Sequence, residues 1–476
     1  MKLLKYSALI LLAILTFSSC SKYLDVKPPG KVLLTTYDDY NKVLNNTSLH
    51  IYNNAEIAYL NDQVWINELA VIGRDPGIAT ISFLGDSTIS RFNFLLSGTN
   101  GLYGAAYASI ARFCLVIDNV EKATNGTPAQ IKRLMAEART LRAFAHFLLL
   151  NTYAKPYNAA TAATDRGICI KSTFNVEVLE KQATVAEVYN FVEAELLAAV
   201  NDLANTGENQ FHPGKAFAYG LLAKMYLYKG EYAKAKAAAQ QSLAINNYVY
   251  DMVKYYQNGQ TENVDMAMPE NLYYAIGGSA IATPNNSIIS KEMYESFGAS
   301  DTRGLAFFST TAPAVQVGAG TAAFIKLPTG NSRFCYNTVG IKTTEMYLTL
   351  AECFAREGNV NAALQNLDEV RKKRILPQGY QASNASTPAD AMKLILTERR
   401  KELLFGFNRF WDQRRLGNDP ANAITVVRKF PVVNTAVPQV TYTIPPNSPL
   451  YILPFDKSVI LNNPNIQQNA KDEMNL

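Results

Sequence analysis

AFAYGLLAKMYLYKGEYAKAKAAAQQSLAINN, residues 216–247, reads as two helices meeting at Gly230. Tyr219, Leu222, Ala223 and Tyr226 recur at spacings of three and four, so they share one face of the first helix. After the Gly-Glu-Tyr corner, Ala235, Ala239 and Leu243 repeat that pattern on the second. Small Ala223 and Ala235 let the two backbones approach, with Tyr226 and Tyr232 filling the space beside them. This is the grammar of a tetratricopeptide (TPR) unit of about 34 residues. It returns in TTEMYLTLAECFAREGNVNAALQNLDEVRKKR, residues 343–374. There Tyr347, Leu350, Ala351, Phe354, Gly358, Val360 and Ala363 stand in register with Tyr219, Leu222, Ala223, Tyr226, Gly230, Tyr232 and Ala235. One helical pair cannot bury its apolar face alone, so the copies are expected to pack together or against other helices. Such repeats build a scaffold and name no ligand.

The rest of the composition narrows the function classes. A chain of 476 residues, 48% hydrophobic, can bury a large core and exceeds the usual size of one domain. Only 18% of residues are charged, and Tyr (27) and Phe (22) are plentiful, a profile suited to a secreted or surface protein that offers aromatic faces to ligands. The formal charge is +5, and the run Arg371–Arg374 reads as a solvated helix end, so nucleic acid is not an expected partner. His50, His146 and His212 are scattered without a second ligand at helical spacing, so each reads as structural and no metal or cofactor is expected. No GxSxG elbow, P-loop or GxGxxG follows a predicted strand, and nothing signals a catalytic residue. The chain is expected not to be an enzyme.

The N-terminus, MKLLKYSALILLAILTFSSC, carries two lysines, an apolar run from Ala8 to Phe17, and small residues before Cys20. The run is too short for a permanent span and has the arrangement of a secretory signal. Ser18-Ser19-Cys20 is similar to a bacterial lipobox, which implies cleavage before Cys20 and its acylation; Phe17 departs from the commoner Leu. Acyl chains contribute about 0.8 kcal/mol per buried CH₂, so the mature chain would be anchored to a membrane. Cys114, Cys169, Cys335 and Cys353 do not read as a disulfide framework.

Residues 21–48 begin as a tether stiffened by Pro28-Pro29, and a short helix starts near Thr35–Thr36 with Asp38 and Asp39 in its first turn. Residues 49–100 are loop-rich. Gly101–Lys122 is predicted helical, with Tyr103, Tyr107, Ile110, Cys114 and Ile117 along one stripe. Pro128–Tyr153 and Thr184–Leu203 are further predicted helices, the second capped by Thr184 with Glu187 at N3. These two resemble a third TPR pair, interrupted by YAKPYNAATAATDRGICI. Residues 248–340 are poor in helical period and rich in aromatics, the mark of a functional insertion. Ser386-Thr387-Pro388-Ala389-Asp390 caps a helix running through AMKLILTERRKELLF, and TVVRKF with VTYTI suggests a β-hairpin. The expected division is a signal peptide at 1–19, an N-terminal part at 20–247, the insertion at 248–340 and a C-terminal part at 341–476. The expected fold is mainly α: a TPR-like scaffold, a large irregular loop-rich insertion, and a small hairpin near the C-terminus.

Four stretches together resemble the SusD/RagB family, the surface-exposed nutrient-binding lipoproteins of Bacteroidetes. They are Cys20-Ser-Lys-Tyr-Leu-Asp-Val-Lys-Pro-Pro, YAKPYNAATAATDRGICI, LTERRKELLFGFNRFWDQRRLG and LPFDKSVILNNPNIQQN. The last two are the most specific. Gln413 stands where the family commonly has Leu, and Arg112-Phe113 where an Ala-Asn pair is frequent. The resemblance implies a lipid-anchored protein at the outer-membrane surface that acts as a hinged lid on a SusC-like TonB-dependent transporter. Glycans are the commonest ligands of the family, and some relatives take peptides.

The third stretch admits two readings from its residues. Glu398 and Glu402, four apart on one helix face, with Arg399, Arg400, Arg409, Asp412, Arg414 and Arg415, read as an acid/base or anion site or as a structural ion-pair network. The structural reading is favoured, with Glu398, Arg400, Glu402, Arg409, Asp412 and Arg415 as its members and Trp411 packed among them. Sugar rings dock apolar faces on Trp or Tyr while their hydroxyls need polar groups at the rim. Trp65, with Asn61, Asp62, Gln63, Asn67 and Glu68 around it, is the expected aromatic platform. Tyr273, Tyr274, Tyr294, Phe297 and Phe308, beside Asn285 and Asn286, are the insertion's candidates. Three readings stay open: a glycan-import lipoprotein without chemistry, the same for a peptide or other nutrient, and a TPR adaptor holding a protein segment in its groove. Trp65→Ala is expected to weaken binding with little change in melting.

Overall fold

The computed structural model describes residues 34–473 except 67, 69–70, 73–76, 96–100, 176, 260–266, 279–286, 310–323, 326–337, 405 and 433–435. The leader with Cys20, the tether, Cys335, and the candidate residues Asn67, Asn285 and Asn286 lie outside these residues. Helices α1 (Tyr37–Leu44), α2 (Glu56–Leu60), α3 (Ile78–Leu84), α4 (Leu102–Asn119), α5 (Pro128–Tyr153), α6 (Val185–Ala199), α7 (Lys215–Lys229) and α8 (Tyr232–Ile245) come first. Short α9 (Met252–Gln257), α10 (Lys291–Glu295) and α11 (Thr302–Phe307) follow. The C-terminal part holds α12 (Thr343–Arg356), α13 (Val360–Arg371), α14 (Pro388–Glu402), α15 (Asn408–Arg415) and α16 (Lys457–Asn462). Among the described residues no helix is long and apolar enough to cross a membrane.

The two TPR copies, α7–α8 and α12–α13, turn by the same device. Gly230 and Gly358 adopt left-handed backbone, φ 77° and 83°, which only glycine takes without strain. In each, the glycine N–H donates to the carbonyl three back (Leu227, 3.1 Å; Ala355, 3.0 Å), and the next N–H donates to the carbonyl of Tyr226 or Phe354 at 2.9 Å. The copies stack: Lys236 of α8 meets Glu357 at the end of α12 at 2.6 Å, and the Arg356 guanidinium lies 4.5 Å from the Tyr232 ring. Ala223, Ala235, Ala351 and Ala363 are all buried, as close helix approach requires. Helices α5 and α6 form the third pair, with Thr184 and Glu187 in a reciprocal capping box. That helix ends at Ala199, short of Leu203, and the helix begun at Pro388 stops at Glu402.

The N-terminal part carries strands β1 (Ile51–Asn53), β2 (Val64–Ile66), β3 (Arg166–Cys169) and β4 (Gln182–Thr184), and short strands tie the insertion to the rest of the chain. The insertion's pieces β5 (Asn271–Tyr273), β6 (Ile276–Gly278) and β7 (Ser287–Ile289) each pair with a strand from another part of the chain. Ile51–Asn53 runs parallel to β6, Val64–Ile66 antiparallel to β7, and Ile341–Lys342 antiparallel to β5. The C-terminal hairpin pairs Val426–Phe430 with Val440–Ile444, burying Val426, Arg428 and Phe430 on alternate positions.

Buried histidines make the core sensitive to acid. His50 Nε2 donates to the Leu44 carbonyl (2.7 Å), and Nδ1 takes the Tyr273 hydroxyl (2.8 Å). His146 Nδ1 donates to the Arg142 carbonyl (2.8 Å), and Nε2 accepts from the Lys171 N–H (3.2 Å). Burial pulls both imidazoles down to about 4. The unfolded chain therefore takes up protons that the folded chain refuses between about pH 6.5 and 4, and stability falls as pH drops through that window. Each histidine contributes on the order of 3 kcal/mol of loss by its lower end. Asp456, pushed up to about 6 by burial and then by the Glu56 charge, works in the opposite sense below pH 6 and offsets part of this. The thermal midpoint is expected to be level above pH 7 and to fall from pH 6.5 to 4; a level profile down to pH 4 would contradict the buried neutral assignment.

Gln413 is fully buried on α15, and neither of its amide atoms has a partner among the described residues. Desolvation without a hydrogen bond costs about 1–3 kcal/mol per group. Gln413→Leu is expected to raise the urea midpoint by an equivalent of about 1–3 kcal/mol. A lowered midpoint would mean that the amide is satisfied in solution.

Candidate functional site

Helix α2 ends in a tight turn that delivers Trp65. The Asn61 amide donates to the Ile57 carbonyl (3.1 Å) and accepts from the Gln63 N–H (2.9 Å). Gln63 donates to the Arg400 carbonyl (2.9 Å), and Ser290 bonds back to Gln63 and Asp62 carbonyls. The chain then runs antiparallel to β7, with Val64 opposite Ile289, Trp65 opposite Ile288 and Ile66 opposite Ser287. This ladder joins two stretches that are remote in sequence, the Trp65 turn and the aromatic insertion.

The half-buried Trp65 ring stands edge-on to Phe83 (5.3 Å between centroids) and tilted on Phe430 (6.3 Å), with Tyr59 and Tyr442 beside the cluster. Arg428 supports it from beneath. Its guanidinium lies 4.4 Å from the Phe83 centroid and donates to the carbonyls of Phe83, Tyr59 and Asn61, at the C-terminal ends of α3 and α2. A cation there complements both helix dipoles. Burial pulls its pKa down to about 10, so it stays charged at neutral pH.

The other candidates are placed differently. Tyr273 and Tyr274 are fully buried: β5 pairs with Ile341–Lys342 against the helical core, and just beyond it the Tyr274 N–H donates to the Gln210 carbonyl at 2.9 Å. Tyr273 packs on Phe144 and Phe217 and is bonded to His50; neither tyrosine is available as a surface contact. Tyr294 is half-buried against the Met252–Phe297 cluster, and Phe297 is buried in it. Phe308 sits in a two-residue strand opposite Ile325. The polar neighbours of Trp65 expected at a rim, Asn61, Gln63 and Glu68, are buried. Asp62 is held by Arg409 in a bidentate pair (Nε 2.7 Å).

Charged side chains from the family-like C-terminal stretch divide into three groups. Glu402 receives Arg303 (2.8 Å), Arg374 (2.9 Å) and Lys342 (3.2 Å), while Arg303 also meets Glu398 (2.6 Å) and Asp301 (2.7 Å). A second chain runs from Lys224 through Glu345, Arg399, Asp412, Arg415 and Glu352 to Arg356. Arg400 and Arg409 stand apart, on Glu292 and Asp62. Burial would raise the Glu402 carboxyl, but Arg374, Lys342 and Arg303 outweigh it and hold it well below the usual range. Glu352 is likewise held at about 2, mainly by Arg415 against the effect of burial. The cavity beside Lys342, Glu345 and Glu402 has a volume of about 10 Å³, room for no more than a water. Glu402 and Glu352 are therefore ionised, paired and buried away from any substrate. Trp411 packs among them, with Lys224 Nζ 4.7 Å from its ring.

Arg303, Glu270, Lys342, Lys224 and Asp62 escape a local reading, because apart from Asp301 beside Arg303 their partners lie far away in sequence. One signal was present: Lys224, Glu345 and Glu352 are single charges on otherwise apolar faces of repeat helices. Among the described residues no group of three or more His, Cys, Asp or Glu is arranged to hold a metal.

Two family models match the chain: one described as starch-binding, associating with the outer membrane, over residues 22–227, and one described as the SusD family, over 325–471. No curated protein is a match. A SusD superfamily protein from Bacteroides thetaiotaomicron VPI-5482 superposes with a TM-score of 0.73 at 21% identity, over 91% of this chain and 100% of the other. A putative sugar-binding protein from Bacteroides vulgatus ATCC 8482 gives 0.72 at 18%, over 92% and 99%. The surface glycan-binding protein A from Bacteroides uniformis gives 0.67 at 18%, over 92% and 100%. At these identities the superpositions establish a shared fold.

Proposed function

Since the chain belongs to the SusD/RagB family, as the models matched to both its N- and C-terminal parts establish, we propose that it captures an oligosaccharide or polysaccharide at the outer-membrane surface without chemistry. In this reading Cys20 carries the lipid anchor, and a SusC-like TonB-dependent transporter receives the bound glycan. The observation that supports it best is the half-buried Trp65 ring, held over Phe83 and Phe430 and joined through β7 to the insertion. A rigid indole presents a flat apolar face to a sugar ring at little entropic cost. The sugar-binding descriptions of two structural neighbours point the same way. Tyr294 and Phe308, with Asn67 and Asn286, remain proposed contributors.

The test is affinity electrophoresis of the chain from Ser21 onward in gels containing plant, fungal, host or storage polysaccharides. Retardation by one class, without shortening of the glycan, is expected. Degradation of the retarding glycan would contradict a binding role without catalysis.

A further inference from the structure

A cleft of about 930 Å³ opens between α14, the end of α12, α10 and the segment 419–424. Its size lies in the range of small-molecule sites. Arg356, Arg400 and Arg409 line it, and each is fixed in place. Arg356 meets Glu352 and Asp419, both at 2.9 Å. Arg400 pairs with Glu292 through two bonds of 2.7 Å, and Arg409 grips Asp62. These three cations are matched by carboxylates, and the other charges on the wall, Lys393 and Asp390, are opposite in sign, so the cleft carries little excess positive charge with which to trap an anion.

Two of these arginines nevertheless keep a donor without a partner among the described residues: Nη1 of Arg356 and Nη1 of Arg409. Met392 and Leu396 of α14 and Ile424 add apolar surface. Fixed donors beside carboxylate acceptors, with apolar patches between them, match the alternating hydroxyls and C–H faces of a sugar ring. We infer that this cleft is a second saccharide site, for an uncharged, hydroxyl-rich oligosaccharide. It is linked to the Trp65 turn through Asp62, which both Arg400 and Arg409 approach. The inference rests on the glycan-binding reading and adds a site to it.

Thr397 and Ala421 line the cleft from exposed positions outside the ion-pair networks, so Thr397→Trp and Ala421→Trp fill it without removing a charged group. The full mature chain and both variants would be titrated calorimetrically with maltoheptaose, laminarihexaose, xylohexaose and mannohexaose, with melting measured in parallel. For the oligosaccharide that the unaltered chain binds, each variant is expected to lose about tenfold in affinity, or one of two binding steps, at an unchanged melting temperature. Unaltered binding in both variants would overturn the cleft assignment and leave the glycan-binding reading intact. Absence of binding by the unaltered chain to every oligosaccharide would overturn both.

Discussion

Glu402→Ala is expected to cost about 3–5 kcal/mol of stability, enough to give a poorly expressed protein with a markedly lowered melting temperature. Arg303, Arg374 and Lys342 all converge on this one carboxylate, and each is almost wholly removed from solvent. Removing it leaves buried cations facing one another, with Glu270, Glu398 and Asp301 among their remaining partners. Neighbouring cations hold Glu402 well below the usual carboxylate range, so its charge persists at pH values where an ordinary carboxylate is protonated. Glu402→Gln keeps the shape and one acceptor and should fall between the two. The check is chemical denaturation of the three proteins, alongside glycan retardation of the folded fraction. A Glu402→Ala protein as stable as its parent, with binding selectively lost, would mean that the network serves a ligand.

Trp65→Ala is expected to weaken glycan binding by at least about tenfold. The sequence alone suggested that melting would hardly change; the packing on Phe83 and Phe430 alters that expectation. A fully buried Trp lost to Ala costs about 3–5 kcal/mol, and a half-buried one on the order of half that. Binding loss must therefore be separated from loosening of the turn. Trp65→Phe keeps an aromatic ring in the cluster while shrinking the sugar-facing surface. Binding graded as Trp, then Phe, then Ala, in molecules still folded at the assay temperature, would carry the assignment. Equal binding by all three would remove Trp65 from the site.

What the sequence discloses and what it hides follow the range of each interaction. Gly230 and Gly358, the caps at Thr184 and Thr387, and the alternation in Val426–Phe430 act within a turn of their own residues, and each appears where it was expected. The two- and three-residue strands have no such local mark. Nothing near Tyr273 indicates that Ile341 will pair with it and carry it into the core, and nothing near Trp65 names Ile288 as its neighbour. The same holds for charge: Glu398 and Glu402 are conspicuous four apart on one helix, but their partner Arg303 lies in the insertion. Of the site, the aromatic residue was legible and its support was not, since Arg428 acts on backbone carbonyls that leave no side-chain signature.

Capture of a glycan without chemistry is tested by calorimetric titration of the mature chain with the glycans of the electrophoretic panel and, separately, with a peptide digest, followed by product analysis. Saturable binding to one glycan class, no cleavage, and no heat from the peptides are expected. Saturable binding to peptides alone would contradict glycan capture.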